Sequence, residues 1–184
     1  MNQFVLKAPY PAAGDQPAAI ESLANGVKAG LKDQVLLGVT GSGKTLVYIK
    51  LIQRTLEMGK NAILLVPEIA LTPQMLQKFR LYFGTQVAVM HSGLTAAQRY
   101  DEYCRIQRGQ ARVVIGTRTA VFAPLHDLGC IIIDEEQEPT YKSESDPRYH
   151  AREVAKYRAA QDKCLLVLGS ATPSVESYHA ARGG

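Results

Sequence analysis

Six runs of apolar and β-branched residues punctuate the chain: QVLLGV at 34–39, NAILLVP at 61–67, VAVMH at 87–91, RVVIGT at 112–117, CIIIDE at 130–135 and CLLVLGS at 164–170. None alternates cleanly between apolar and polar positions, as a strand with one wet face would. Near-continuous apolar runs of this length predict strands buried on both faces, the habit of a parallel sheet. The stretches between them keep a helical period. DQPAAIESLANGVKAG at 15–30 has an aspartate cap, a proline in its first turn, apolar Ile20, Leu23, Ala24 and Val27, and a closing glycine. Further helices are predicted at 44–59, at 72–84 and 95–109, each of these two opening on a threonine, and at 173–183. Residues 137–149, QEPTYKSESDPRY, carry two prolines and mixed charge and follow directly on a strand, so they predict a loop over the carboxyl edge of the sheet. Strand and helix in alternation give an α/β fold, a mainly parallel sheet with helices on both faces.

Length and composition narrow this picture only a little. At 184 residues the chain suits one well-buried α/β domain and is short for two, so residues 1–184 are expected to form one unit. No apolar run approaches the ~20 residues of a membrane-spanning helix. The start MNQFVLKAPYPAAGDQP lacks the basic and apolar regions of a secretory signal, so cytoplasmic residence and no membrane association are expected. Cys104, Cys130 and Cys164 are far apart and form no C-x-x-C or C-x-x-H pair, which makes them apolar filler rather than metal ligands. The net charge of +4 favours a polyanionic partner without naming one.

The chemistry is concentrated in two motifs. GVTGSGKT at 38–45 fits G-x-x-x-x-G-K-[ST], with an apolar strand before it and a helix after it. In such a loop Gly41, Ser42 and Gly43 let backbone amides wrap a nucleotide's phosphates, Lys44 reaches the outer phosphates, and the Thr45 hydroxyl ligates Mg²⁺. CIIIDEEQ then ends an apolar strand on Asp134 and Glu135. A strand-terminal aspartate suits the Mg²⁺ shell, and the glutamate after it is placed to orient and deprotonate an attacking water. Gln137 either senses the γ-phosphate or faces solvent. The pair argues for nucleotide hydrolysis rather than storage.

These residues carry a family resemblance. DEEQ resembles the D-E-x-H/Q box of superfamily 2 helicases, and GSATPS at 169–174 is similar to their motif III. From about residue 38 onward, LLVPEIALTPQM, MHSGLTAAQR, VVIGTRTAVFAPLHDLGCIIIDEEQEPTYKSESDPRYHAREVA and LVLGSATPSVES look like the first motor lobe of the PriA family of replication-restart helicases. The resemblance implies a RecA-like P-loop lobe that uses ATP and Mg²⁺, acts on single-stranded or forked DNA with 3′ to 5′ unwinding, and works with replication-restart proteins. It also implies that the strand carrying GSATP lies between the P-loop strand and the DEEQ strand, where Ser170 and Thr172 would couple the nucleotide site to DNA. Residues 1–37, with YPAAGDQPAAIESLANGV, are more similar to the amino terminus of the UvrB excision-repair family. In that family a glutamine reads the adenine edge and an aromatic stacks on the base, which points to Gln16 and Tyr10. Two ancestries sharing GVTGSGKT lead to the expectation of a chimera, natural or engineered, joined in or next to the P-loop.

The same resemblance makes PEIALTPQ at 67–74 and GTRTAVFAP at 116–124 the lobe's DNA-backbone motifs, through Thr72, Thr117 and Arg118. Thr72 also reads as a helix cap, and one residue can do both. The segment TYKSESDPRYHAR resembles the aromatic-rich loop that couples DNA binding to ATP hydrolysis in the PriA and RecQ families. Its Tyr141, Lys142, Arg148, Tyr149 and Arg152 suit stacking on bases and neutralising phosphates, or else form a solvated loop with its tyrosines packed on the domain. His91 reads as a structural histidine. Superfamily 2 motors complete their site with arginine fingers from a second RecA-like lobe. That lobe is expected to lie outside these 184 residues, and an arginine finger is worth about 10³ to 10⁵ in rate. The chain by itself is therefore expected to bind ATP·Mg weakly, hydrolyse it very slowly and unwind nothing.

Overall fold

A computed structural model of the chain describes residues 18, 19, 21–23, 25, 33–37 and 43–170. All six predicted strands form: β1 (Asp33–Leu37), β2 (Asn61–Leu65), β3 (Val87–Met90), β4 (Val113–Gly116), β5 (Leu128–Ile133) and β6 (Leu165–Ser170). They make one sheet in the order β1-β6-β5-β2-β4-β3, and every pairing is parallel. The strand bearing GS therefore sits between the P-loop strand and the DEEQ strand, as the resemblance implied.

The near-continuous apolar runs work as a doubly covered sheet requires. Successive side chains point to opposite faces. Ala62, Leu64, Ile115, Ile132 and Val167 join one cluster, while Ile63, Leu65, Val114, Ile131 and Leu168 join the other. Helices α1 (Lys44–Glu57) and α2 (Pro73–Phe83) cover the first face through Ile49, Leu51, Ile52, Phe79 and Phe83. Helices α3 (Ala96–Gln107) and α4 (Ala151–Asp162) cover the second through Ile106, Ala151, Ala155 and Ala159. Fully burying one such aliphatic side chain is worth about 1.5–3 kcal/mol, so two packed faces supply the main drive to fold. Residues 18, 19, 21–23 and 25 are helical, as predicted, and Leu23 is buried in the first cluster. The predicted helix at 173–183 lies outside the described residues.

The threonines at the helix starts act as caps. Thr72 Oγ1 accepts the Met75 amide at 3.2 Å, and Thr95 forms a reciprocal capping box with Gln98. Among the described residues helix α4 is the one α-helix the periodicity does not predict. Its inward face is Ala151, Ala155 and Ala159, one small residue every four positions, and its other positions are mostly charged or polar. A stripe of alanines packs closely on β5 and β6 but carries too little apolar weight to stand out in the sequence. Cys130 and Cys164 are buried thiols, as expected of filler. The Thr55 hydroxyl meets Cys130 Sγ at 3.3 Å, and burial pushes the Cys130 pKa up to about 12. Among the described residues no helix is long and apolar enough to cross a membrane.

Gly116 closes β4 where the backbone passes close to two neighbours. A Cβ there would lie 2.6 Å from Ala120 Cβ and 2.9 Å from the Met90 carbonyl carbon, and neither is a flexible side-chain end. Gly116→Ala is expected to cost about 3 kcal/mol through overpacking, read as a lower urea midpoint. A loss under about 0.5 kcal/mol, the range of an unremarkable surface change, would contradict this close approach.

Candidate functional site

The carboxyl ends of β1, β6 and β5 lie side by side, with β6 in the middle. Neighbouring strands are about 4.8 Å apart, so a group following β1 must reach roughly 10 Å across the end of β6 to meet one on β5. Lys44, the first residue of α1, makes that reach. Its Nζ lies 2.7 Å from Glu135 Oε1 and 3.5 Å from Asp134 Oδ1, with the side chain only 10% exposed. Gly43 precedes it at φ 82°, a left-handed conformation that glycine adopts without penalty and that turns the chain into the helix.

The turn after β5 is built by its two neighbouring strands. The Asp134 amide donates to Leu65 O on β2 at 2.9 Å, and the Glu136 amide donates to Gly169 O on β6 at 3.0 Å. Glu135 between them sits at φ 47°, a left-handed conformation that costs a non-glycine residue about 1–2 kcal/mol. Its own amide meets Asp134 Oδ1 at 3.1 Å, which offsets part of that cost. The strained residue is thus the one whose carboxylate meets Lys44. Gln137 lies on the surface and bridges two predicted site residues. Its Nε2 donates to Glu135 Oε2 at 2.8 Å, and its Oε1 accepts the Ser170 hydroxyl at 2.6 Å. Ser170 is fully buried and reaches Glu135 through Gln137.

Two tyrosines hold Asp134 from opposite faces of the sheet. The Tyr48 hydroxyl, on α1, donates to Asp134 Oδ1 at 2.8 Å. The Tyr141 hydroxyl donates to the Asp134 carbonyl at 2.7 Å. Both rings are 1% exposed. Burial first, and then the Asp134 charge, push both hydroxyls well above the usual tyrosine range, so they remain donors. Tyr48 was legible in the sequence only as part of an apolar helix face. Its signal was the lone buried phenol among aliphatics, since such a hydroxyl needs a partner.

The loop after the turn is pinned at both ends. Arg152 Nη1 lies 2.9 Å from Glu136 Oε2, and the Glu136 side chain is completely buried. Arg118 Nη1 donates to the Lys142 carbonyl at 2.7 Å and the Thr140 carbonyl at 3.4 Å, while Lys142 and His150 form an isolated antiparallel bridge. These contacts engage several of the residues expected to meet DNA. Tyr141 offers no face to a base because its ring is in the core. Arg152 is committed to Glu136 and Glu153, and Arg118 is drawn onto loop carbonyls. Thr117 is 4% exposed but lines, with Val66, Arg118, Thr140 and Lys142, an open cavity of about 510 Å³. Lys142 and Arg148 face solvent, and Tyr149 is half-buried with its ring edge-on to the exposed Phe122 at 5.0 Å. His91 accepts the Gly93 amide on Nδ1 at 3.1 Å, a local structural contact. Tyr10, Gln16, Gly41, Ser42 and Thr172 lie outside the described residues.

For Mg²⁺ the donor set fits. A nucleotide-bound Mg²⁺ asks for one or two protein oxygens beside the phosphates, and Thr45 in the first turn of α1 and Asp134 after β5 would offer a hydroxyl and a carboxylate. Asp134 and Glu135 already gather one positive charge, the Lys44 ammonium, between them. Among the described residues no group of three His, Cys, Asp or Glu forms a separate metal centre.

A parallel sheet in this order, a lysine at the head of the helix after β1 and a strand-terminal acidic pair on β5 together define a RecA-like P-loop NTPase lobe. The chain belongs to the DEAD/DEAH box helicase family, whose model matches residues 14–181. It is 52% identical over all 184 residues to the replication restart protein PriA of Bacillus subtilis, and 49% identical over 175 residues to that of Treponema pallidum. It spans about a quarter of those curated relatives, 23% and 26% of their lengths, and 100% and 95% of itself is matched. Among solved structures it resembles RecG bound to a three-way DNA junction, with a TM-score of 0.67 and 24% identity over 96% of this chain and 23% of that one. The Bacillus match covers the whole chain, residues 1–37 and the P-loop included. A match of that span needs no seam in or next to the P-loop to account for it.

Two outcomes follow from the pinned loop. Arg152→Ala deprives a fully buried carboxylate of this cation and is expected to cost about 3 kcal/mol in urea unfolding, with Glu136→Gln in the same chain recovering part of it. Equal losses in single and double variants would show that the pair is not what Arg152 contributes. His150 Nδ1 accepts the Arg152 amide at 3.2 Å as the α4 cap, and burial, then the Arg152 charge, lower its pKa from 6.5. A lowered folded pKa means this stability is full above pH 6.5 and is lost as pH falls through the folded value. Urea midpoints from pH 7.5 down to 5 should therefore fall more steeply for the wild type than for His150→Asn. Parallel curves would remove the titrating cap.

Proposed function

We propose that the chain is the ATP-binding lobe of a DNA-dependent ATPase and 3′ to 5′ DNA helicase of the replication-restart type, hydrolysing ATP to ADP and phosphate together with a second RecA-like lobe. The observation that carries this reading is the convergence of Lys44 with Asp134 and Glu135 at 3.5 and 2.7 Å, across the end of β6. Family membership and the PriA relatives support the same reading.

In it, Lys44 moves from the two carboxylates to the outer phosphates of ATP. Thr45 and Asp134 would hold Mg²⁺, which when bound would supply charge neutralisation at the phosphate oxygens. Glu135 takes the proton of the attacking water, and Gln137 sets the direction of that carboxylate through its 2.8 Å contact. Gln16 and Tyr10 hold the adenine, and Gly41, Ser42 and Gly43 hold the phosphates. Single-stranded or forked DNA runs along the carboxyl edge, over Thr72, the cavity beside Thr117 and Arg118, and the exposed Lys142, Arg148 and Tyr149. Tyr141, Arg152 and Ser170 transmit the loop's position to the acidic turn, and Thr172 completes that link. Other replication-restart proteins and a cytoplasmic setting follow from the PriA relatives as part of the same proposal.

The test is a steady-state ATPase assay, with and without single-stranded DNA, on the chain supplied with its second lobe. Wild type should show DNA-stimulated turnover, and Glu135→Gln should lose about 10²- to 10⁴-fold while still binding a fluorescent ATP analogue. Equal background rates in both would leave a nucleotide-binding module without turnover.

A further inference from the structure

Gly169 is the second-to-last residue of β6, next to the acidic turn, and its missing side chain has a specific occupant. A Cβ built there would overlap the Tyr48 hydroxyl oxygen and lie 3.1 Å from Tyr48 Cζ and 3.3 Å from Asp134 Oδ1. The hydroxyl therefore passes through the space above Gly169 on its way from α1 to Asp134. On arrival it meets Oδ1 at 2.8 Å, where the Glu135 amide also donates at 3.1 Å and the Lys44 ammonium stands at 3.5 Å. Every such contact of the Asp134 side chain falls on Oδ1. Among the described residues Oδ2 is left with no donor, and the carboxylate has one fixed orientation.

We propose that Tyr48 and Gly169 act together as a positioning pair for Asp134: the buried hydroxyl fixes which carboxylate oxygen is turned toward the metal and phosphates, and the bare glycine is what admits it. The inference rests on the reading that Asp134 faces Mg²⁺. Outer groups that orient a metal-binding side chain are commonly worth tenfold or more in metal affinity. Lys44 cannot substitute for the tyrosine here. In the proposed reaction its ammonium leaves for the phosphates, whereas Tyr48 is locked in the core at 1% exposure and stays.

The experiment uses the whole chain and a fluorescent ATP analogue, titrated with Mg²⁺ and, separately, in EDTA. Tyr48→Phe keeps the ring that fills the core and removes only the oxygen. It should raise the half-saturating Mg²⁺ concentration about tenfold, with binding in EDTA and the thermal midpoint nearly unchanged. Gly169→Ala should raise the Mg²⁺ requirement similarly and also lower the midpoint. Adding Tyr48→Phe to it should restore most of the midpoint, because the overlapping atom is gone and only the closer-than-usual contacts with the ring carbon and Asp134 Oδ1 remain. An unchanged Mg²⁺ requirement in Tyr48→Phe, with normal Mg²⁺ dependence in wild type, overturns the positioning role alone. Nucleotide binding by wild type that ignores Mg²⁺ overturns the reading of Asp134 on which it rests.

Discussion

The contact of one lysine ammonium with two carboxylates joins parts of the chain 90 residues apart and sets what the rest of the fold must achieve. Lys44 opens α1 and the acidic pair follows β5, so neither can reach the other unless the sheet leaves at most one strand between β1 and β5. The order β1-β6-β5 does so, with the last described strand inserted between the first and the fifth. All-parallel pairing then brings the three carboxyl ends to one edge, and the continuous apolar runs keep that sheet covered on both faces. At effective dielectrics near 20, two unit charges 4 Å apart interact by about 4 kcal/mol, so an ammonium that is 10% exposed is strongly tied to this place. Only a ligand of high negative charge competes for it.

Around that contact the structure supplies rigidity from several directions. The turn hangs from β2 through the Asp134 amide and from β6 through the Glu136 amide, so the left-handed Glu135 is held between two fixed points. The following loop is tied back to the same turn, by Tyr141 to the Asp134 carbonyl and by Arg152 to Glu136. A displacement of residues 142–150 cannot be absorbed locally, because both ends of the segment are attached to the turn. The edge that offers Lys142 and Arg148 to solvent is therefore mechanically continuous with the turn that carries Asp134 and Glu135.

Much of this was legible in the sequence, for an identifiable reason. Strands buried on both faces leave runs such as LLVLGS and CIIID that few other structures produce, and threonines before helices announce caps that Thr72 and Thr95 do form. The P-loop and DEEQ are legible because the chemistry tolerates few alternatives: a reaching cation, a strand-terminal acid and a second acid beside it. Helix α4 was not legible, because alanines at 151, 155 and 159 pack as well as larger residues at a close approach yet leave no hydrophobic signal.

The supports of the site are illegible for a different reason, which is that composition does not say which way a side chain faces. Tyr141 and Arg152 stand at the two ends of a segment rich in aromatic and basic residues, the composition of a nucleic-acid surface, and both turn inward. What separates them from Lys142 and Arg148 is position relative to Asp134 and Glu136, one strand end away. A buried carboxylate must find a cation and a buried phenol must find an acceptor, so the acidic turn recruits the nearest suitable residues from the loop. The same demand acts on Tyr48 and, through it, on Gly169, whose lack of a side chain serves a hydroxyl from a helix 121 residues earlier in the chain. Burial of the acidic turn thus dictates residue types in three separate segments, and those residues read as core, loop or turn until the turn's own polar needs are counted.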